Sequence, residues 1–491
     1  MLLWVAVFSQ AFHTRGSNTE RFADFEEHRL LPFTYRPATA LNACGPDPRL
    51  TITLWRMGSM NPPRMSQASF EPWWWDWAPR QERRETTLPA KAEVVVVGSG
   101  YTGLMGALTL ARGGRDVLVL DAETVGFGAS SRNGGQVGSG NQRFTVKRLI
   151  ELYGQDKARA LILEGTAALE YVKRFIVEEG IECHLRVNGR FRGASRPEHY
   201  EHMARDMEDL RAIAGVESAM VPHAEQGNEI GSELYHGGSV LPGDASVHPA
   251  LYHDGLLQRA ESAGVGVRSH TRVIGIEQSN EGATVITERG SIACDEVLIA
   301  TNGYTTKTTD ALYQRFVPVA AAMIATTELS PNLVSHLMPK ARVYGDTLRV
   351  HHYYQPSPDN KRLLFGGRLA GPADTANPAH FKHLHREMLD VFPSLEDVDI
   401  SNCWSGYVAI TSDSLPHIGR SGRVYHATGY NGSGVARASH AGYQTALQML
   451  GNSEDLTAWN DLAFEKLPFR SFARLGVSAA IAWKRWQDSR S

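Results

Sequence analysis

The chain has 491 residues, of which 42% are hydrophobic and 21% charged, and a formal net charge of −3 at pH 7. The length accommodates two domains with sizeable cores, and the near-neutral balance gives no electrostatic reason to expect nucleic acid or an acidic membrane as partner. Four cysteines, Cys44, Cys183, Cys294 and Cys403, stand far apart with no CxxC pair. That argues against zinc or a disulfide framework and fits a reducing, cytoplasmic compartment. No apolar run reaches the roughly 18–20 residues that span a bilayer.

Residues 1–65 mix Pro, Arg, Asn and Thr with little periodicity. They read as a disordered extension, or as sequence upstream of a true start at Met57, Met60 or Met65. The apolar opening Met1–Phe12 lacks the basic region of a signal peptide. Residues 66–90 form a lead-in around Trp73-Trp74-Trp75-Asp76-Trp77. Its rings are expected to lie buried against the main domain rather than to form a binding surface.

From Ala92 to Ala122 the pattern is a β-branched run (Val94–Val97), a glycine turn, a helix-like stretch (Leu104–Arg112), a second apolar run (Val117–Leu120) and a terminal acid, Asp121. This order of elements holds an ADP moiety. In the turn, which also contains Tyr101 and Thr102, Gly98 permits the tight bend and Gly100 the approach of a pyrophosphate. Gly103 permits close helix–strand packing, and the helix N-terminus faces the phosphates. Asp121, 18 residues beyond Gly103, is placed to accept from ribose hydroxyls. The small-residue loop that follows, Ala129, Ser130, Ser131, Arg132, Asn133, Gly134, Gly135 and Gln136, allows close backbone approach to the same ligand.

Helices are expected over Glu151–Glu179, Met203–Ala214 and Ala250–Ala263, and a strand pair around Val265–Arg268 and Thr284–Thr287. A buried strand from Val297 ends in Thr301-Asn302-Gly303. From Phe316 to about Phe365 the pattern turns to antiparallel strands, then returns to helix over His380–Val391. The fold class is therefore α/β: a Rossmann-like dinucleotide-binding domain (91–185, 244–309 and 396–470) with an inserted antiparallel-sheet substrate domain (186–243 and 310–395) and a tail, 471–491. A second strand–glycine turn–helix runs through Gly429, Tyr430, Asn431, Gly432, Ser433, Gly434 and Val435. Its helix N-terminus suits the N1–C2=O edge of a flavin, which becomes anionic on reduction.

The motifs VVVVGSGYTGL (Val94–Leu104), GASSRNGGQ (Gly128–Gln136), LIATNGY (Leu298–Tyr304), LLFGGR (Leu363–Arg368), LPHIGR (Leu415–Arg420) and GYNGSGV (Gly429–Val435) resemble the FAD-dependent amine and amino-acid oxidoreductases of the D-amino-acid-oxidase superfamily. Within it they are most similar to the γ-glutamylputrescine oxidase branch. The resemblance covers roughly Phe70 to Phe469. It implies FAD held by Gly98–Gly103, Asp121, the Gly128–Gln136 loop and the Gly429–Val435 turn, with backbone contact from Val273 to the adenine. The cysteine that binds flavin covalently in sarcosine-oxidase-like relatives falls at or near Gly406, which implies non-covalent FAD, although Cys403 is close by. Val408 stands where relatives acting on α-amino acids place a carboxylate-clamping arginine.

The implied reaction is oxidation of an amine C–N bond by hydride transfer to flavin N5, giving an imine that water hydrolyses, with oxygen or another acceptor taking the electrons. His352, Tyr353, Tyr354 and Tyr407 are candidates for the substrate pocket, each with sheet packing as its alternative, and no side chain is assigned as catalyst. His380, His383 and His385 lack partner acids or cysteines, so no metal is expected. A D- or N-methyl amino acid substrate, or a non-catalytic FAD-binding subunit, remains the alternative. A nicotinamide-dependent reductase would need a second GxGxxG, which the chain lacks.

Overall fold

Four consecutive valines, Val94–Val97, have no polar face to offer water, and the fold buries all four. They form the middle of a six-stranded sheet ordered His417–Ser421, Val424–Thr428, Glu296–Ile299, Val94–Val97, Val117–Leu120, Gly266–Arg268. Every pairing is parallel except the outermost, between His417–Ser421 and Val424–Thr428. A parallel sheet is covered on both faces, and the alternation of side chains divides the valines between them. Val94 and Val96 pack with the helices Tyr101–Arg112 and Gly434–Met449. Val95 and Val97 pack with a three-stranded antiparallel sheet, Val273–Gln278, Ala283–Thr287 and Gly290–Cys294. The structure is a computed structural model describing residues 64–82, 87–369, 371, 373, 376–452, 456–467, 470 and 473–490. The expectations for residues 1–65 lie outside these, Arg64 and Met65 excepted.

The second sheet has eight strands, ordered Ile400–Thr411, Phe316–Thr326, Leu363–Arg368, Tyr353–Pro356, Val343–Asp346, Arg190–Gly193, Gly238–Leu241, Ala219–Val221. It is antiparallel but for one parallel pair, Val343–Asp346 with Arg190–Gly193. Beneath it the helix Lys382–Val391 buries Leu384 and Met388 against Tyr354, Phe365 and Phe392.

Several local expectations are corrected. The strands near Val265 and Thr284 do not pair: Gly266–Arg268 joins the parallel sheet, and Ala283–Thr287 lies between two other strands. The long helix is two, Val146–Tyr153 and Gln155–Glu178, broken where Gly154 takes φ 79°. The next helix begins earlier than expected, at Pro197, since proline suits the first helical turn. Within the antiparallel stretch expected from Phe316 to about Phe365, one strand is Tyr353–Pro356, so His351 and His352 precede it. Ile400–Thr411, at the head of the third cofactor segment by sequence, hydrogen-bonds along Phe316–Thr326 in the eight-stranded sheet. That buried strand has two edges to satisfy, and Leu363–Arg368 covers only one. Among the described residues no helix is long and apolar enough to cross a membrane.

The helices Tyr101–Arg112 and Gly434–Met449 meet through glycine. A Cβ on Gly442 would stand 2.3 Å from the Thr102 carbonyl oxygen. Gly442→Ala is therefore expected to destabilise the protein by about 1–3 kcal/mol through overpacking, read by chemical denaturation. Gly243→Ala, where a Cβ meets nothing within 4 Å, should change stability by no more than ~0.5 kcal/mol.

Candidate active site

One cavity of about 620 Å³ runs from the first glycine turn to the eight-stranded sheet, within the range of about 300–1,000 Å³ usual for ligand sites. At the turn it is lined by Gly98, Gly100, Tyr101, Thr102 and Asp121. Gly98 has φ +104°, and a Cβ on Gly103 would stand 1.9 Å from its carbonyl oxygen. Gly103 accordingly sits behind the cavity wall as a packing contact. Asp121 ties the turn together. Its Oδ2 accepts from the Ser99 N–H (2.9 Å) and hydroxyl (2.5 Å), and its Oδ1 from the Glu123 N–H (3.0 Å). A carboxylate has about four acceptor sites, so capacity remains toward the cavity. Val273 lines the same end.

The loop after the second strand lines the cavity through Ala129, Ser130, Arg132, Asn133, Gly134 and Gln136. Ser131 and Gly135 do not reach it. Ser131 is fully buried, accepting from Trp75 Nε1 (2.9 Å) and donating to Gly126 O, and a Cβ on Gly135 would meet Val247 O at 2.4 Å. The Arg132 guanidinium donates to Phe127 O and Ser405 O (2.8 and 3.0 Å) and stacks over Phe127 and Trp75. Ser130 Oγ accepts the Tyr101 N–H (2.9 Å), Asn133 folds its amide onto Ala129 O and Ser130 O, and Gln136 Nε2 donates to Tyr344 O and Tyr354 O. The tryptophan lead-in braces this loop: Trp74 Nε1 donates to Asn133 O (2.8 Å), as Trp404 Nε1 does to Arg132 O (2.8 Å). Trp73 and Trp74 are buried, whereas Trp77 is 39% exposed.

Thr301 and Asn302 line the cavity opposite, with Gly303 behind them against Tyr407 O. Asn302 Oδ1 accepts from Thr428 Oγ1 and the Gly429 N–H (both 3.1 Å), so Gly429 also acts from behind the wall. Tyr430, Asn431, Gly432, Ser433, Gly434 and Val435 face the cavity. The Tyr430 hydroxyl bonds Thr102 Oγ1 at 2.6 Å, joining the two turns. Neither long helix opening on the cavity has a side-chain cap at its N-terminus.

At the sheet end Tyr353, Tyr407, Val408 and Met323 line the cavity. Burial pushes the Tyr353 phenol up to about 12. Tyr354 is a correction: its ring points into the core, stacked on Phe365, with its hydroxyl 3.0 Å from that of Tyr235. Strand neighbours face opposite ways, so only one of the two tyrosines reaches the site. His352 borders the cavity, but its ring is held between Asp346 (2.7 Å) and Glu387 (3.3 Å). Against desolvation these carboxylates raise it to about 10, so it is a cation. His351 also lines the cavity. Desolvation, and then the charges of Arg368, Arg143 and Arg192, hold it well below the usual imidazole range. Sequence reasoning missed His351, Arg143 and Arg368 as lining residues. The position of Arg368 directly after the Gly366-Gly367 pair was the available signal.

The groups present suit FAD. Two uncapped helix N-termini favour anionic edges, and at Gly98 and Gly100 a Cβ would stand 3.1 Å from Ala300 O and 2.9 Å from Ser130 Oγ. Cys403 lies wholly buried in the apolar core beneath the sheet, its thiol pushed up to about 12 by desolvation, while Gly406 lines the cavity.

This is the site of a flavin-dependent oxidoreductase. Residues 93–447 match the family described as DAO, FAD dependent oxidoreductase, and the chain belongs to that family. It is 32% identical over 409 residues to a probable oxidoreductase, OrdL, of Rhizobium meliloti (strain 1021), covering 81% of this chain and 92% of that one. It is 30% identical over 382 residues to the gamma-glutamylputrescine oxidoreductase of Escherichia coli (strain K12), covering 77% and 88%. Among solved structures, L-proline dehydrogenase from P. horikoshii shares the fold, with a TM-score of 0.63 and 21% identity over 74% of this chain and 95% of that one. The protein is thus an FAD-dependent enzyme acting on CH–NH or CH–NH2 donors.

Two outcomes follow from the site. Acid precipitation of the yellow protein should release all its FAD into the supernatant; colour kept in the pellet would mean covalent attachment. The stabilisation from His352 is complete below its unfolded pKa of about 6.5 and lost as pH rises through about 10. Thermal melts should therefore fall from pH 6.5 to 10 in the native protein, and less steeply in His352→Gln.

Proposed function

We propose that the chain oxidises the terminal C–N bond of a γ-glutamylputrescine-like amine. The observation that carries this reading is Val408 on the cavity wall, an apolar side chain that cannot give an α-carboxylate the bidentate pairing of a guanidinium. The E. coli relative is named for a substrate of this kind. We assign FAD, non-covalently, to the residues lining the two glycine turns and the Ala129–Gln136 loop, its ribose to Asp121 and its adenine to the backbone at Val273. When bound, FAD supplies the two-electron acceptor for hydride from the carbon beside the nitrogen.

The chain's own groups prepare the amine. Hydride loss needs the unprotonated nitrogen, and positive charge on Arg143, Arg368 and Arg192 disfavours an ammonium nearby. His351, kept neutral by desolvation and then by these charges, has a lone pair to accept from an amine N–H. Tyr353 and Tyr407 border the space in which the carbon chain lies and limit water there. Three described cysteines are free and buried, in keeping with work in the cytoplasm.

Anaerobic stopped-flow absorbance tests the reading. Rapid bleaching of the flavin is expected with γ-glutamylated polyamines and little with sarcosine or D-amino acids. Equal or faster bleaching by the α-amino acids would overturn it.

A further inference from the structure

The loop between the strands Val343–Asp346 and Tyr353–Pro356 walls the sheet end of the cavity, which Leu348, Arg349, His351 and His352 all line. These residues belong to no strand, so their N–H groups need partners of another kind. Two carboxylates supply them. Asp346, at the start of the loop, accepts from the Leu348 N–H (3.1 Å) and the His352 N–H (3.3 Å). Asp488 serves the stretch between, from the C-terminal helix Ala473–Arg490. Its Oδ1 accepts from the Arg349 N–H (3.4 Å) and Arg349 Nη1 (3.1 Å), and its Oδ2 from the Val350 N–H (3.2 Å). The Asp488 side chain is 12% exposed and Val350 is buried, so water is a poor substitute for that carboxylate.

The helix is anchored around this contact. Ile481 packs with Val317, Val319 and Val350. The Arg485 guanidinium donates to Arg368 O (3.0 Å) and stands 3.3 Å from Glu387, and Arg196 Nη2 donates to Asp488 O (3.1 Å). None of the helix's described residues lines the cavity, and the helix lies beyond residues 93–447, which match the family. The Arg349 side chain is 47% exposed, and an ion pair so placed contributes little by itself. The two backbone bonds are what tie the helix to the course of the loop.

We infer that Asp488 is a positioning residue, which fixes from outside the cavity the loop that presents His351 to the substrate nitrogen. This rests on the amine-oxidation reading above. Without the carboxylate, the Arg349 and Val350 amides turn to other partners and His351 moves with them. A small displacement of an orienting wall costs rate more than affinity.

The test compares the wild-type holoenzyme with Asp488→Ala, Asp488→Asn and, as a surface control, Asp461→Asn, which breaks the distant pair with Lys157. Hydrogen exchange read by mass spectrometry follows the peptide covering Arg349–Tyr353. Anaerobic stopped-flow gives the limiting rate of flavin reduction and the apparent Kd for γ-glutamylputrescine. In Asp488→Ala, exchange of that peptide is expected to quicken about 10-fold. The limiting rate should fall about 10-fold while the apparent Kd moves less than about 3-fold. Asp488→Asn, which keeps one acceptor oxygen, should recover part of both, and Asp461→Asn should match wild type. Unchanged exchange over Arg349–Tyr353 would overturn the inference, as would faster exchange with an unchanged reduction rate. So would exchange quickened throughout the eight-stranded sheet in step with a lower melting temperature, since Asp488 would then only anchor the helix. If sarcosine or a D-amino acid bleaches the flavin and γ-glutamylputrescine does not, the proposed substrate falls, and the same rate comparison with that donor decides the role of Asp488.

Discussion

At Gly103 and Gly442 backbone meets backbone where any side chain would intervene. The first lets the helix Tyr101–Arg112 sit against the Gly98 carbonyl, and the second lets the helix Gly434–Met449 sit against the Thr102 carbonyl. The first contact lies at the start of its helix, and the second sets the middle of Gly434–Met449 against the start of Tyr101–Arg112; both N-termini open on one cavity. The partial positive charges of those termini both face that cavity. The 2.6 Å bond between Thr102 and Tyr430 holds that spacing. Separation of the helices would affect the core and the site together.

The cavity is also polarised along its length. Asp121 and Glu123 line the glycine-turn end together with Arg272, and Arg190, Arg192, Arg349 and Arg368 line the sheet end together with Asp346. Desolvation, and then the charges of Arg368, Arg143 and Arg192, keep His351 neutral, while Asp346 and Glu387 keep His352 charged. Two adjacent imidazoles thus have opposite protonation states because different elements face them.

The glycine-turn half of this cavity was legible in the sequence, and the sheet half was not. Glycines at fixed spacing between apolar runs mark a turn whose geometry is local, so Gly98–Asp121 and Gly429–Val435 could be read directly. Ile400–Thr411 shows the limit: its partner, Phe316–Thr326, lies some eighty residues away, and nothing local reports that pairing. The substrate end suffers most, since Arg143, His351 and Arg368 come from three segments. The choice between Tyr353 and Tyr354 turned on strand phase, and that between His351 and His352 on where Asp346 and Glu387 fall. Neither is set by the residues' immediate neighbours.

The tryptophan lead-in has an optical consequence. Trp74, Trp75 and Trp404 each donate an indole N–H to the loop Ala129–Asn133 that walls the cavity. Indole emission overlaps flavin absorption, so light absorbed by these rings would pass to an isoalloxazine bound in the cavity instead of being emitted. The brace that shapes the loop therefore makes the chain its own gauge of cofactor loading: its ultraviolet-excited fluorescence is dim when the cavity is filled and bright when the flavin departs.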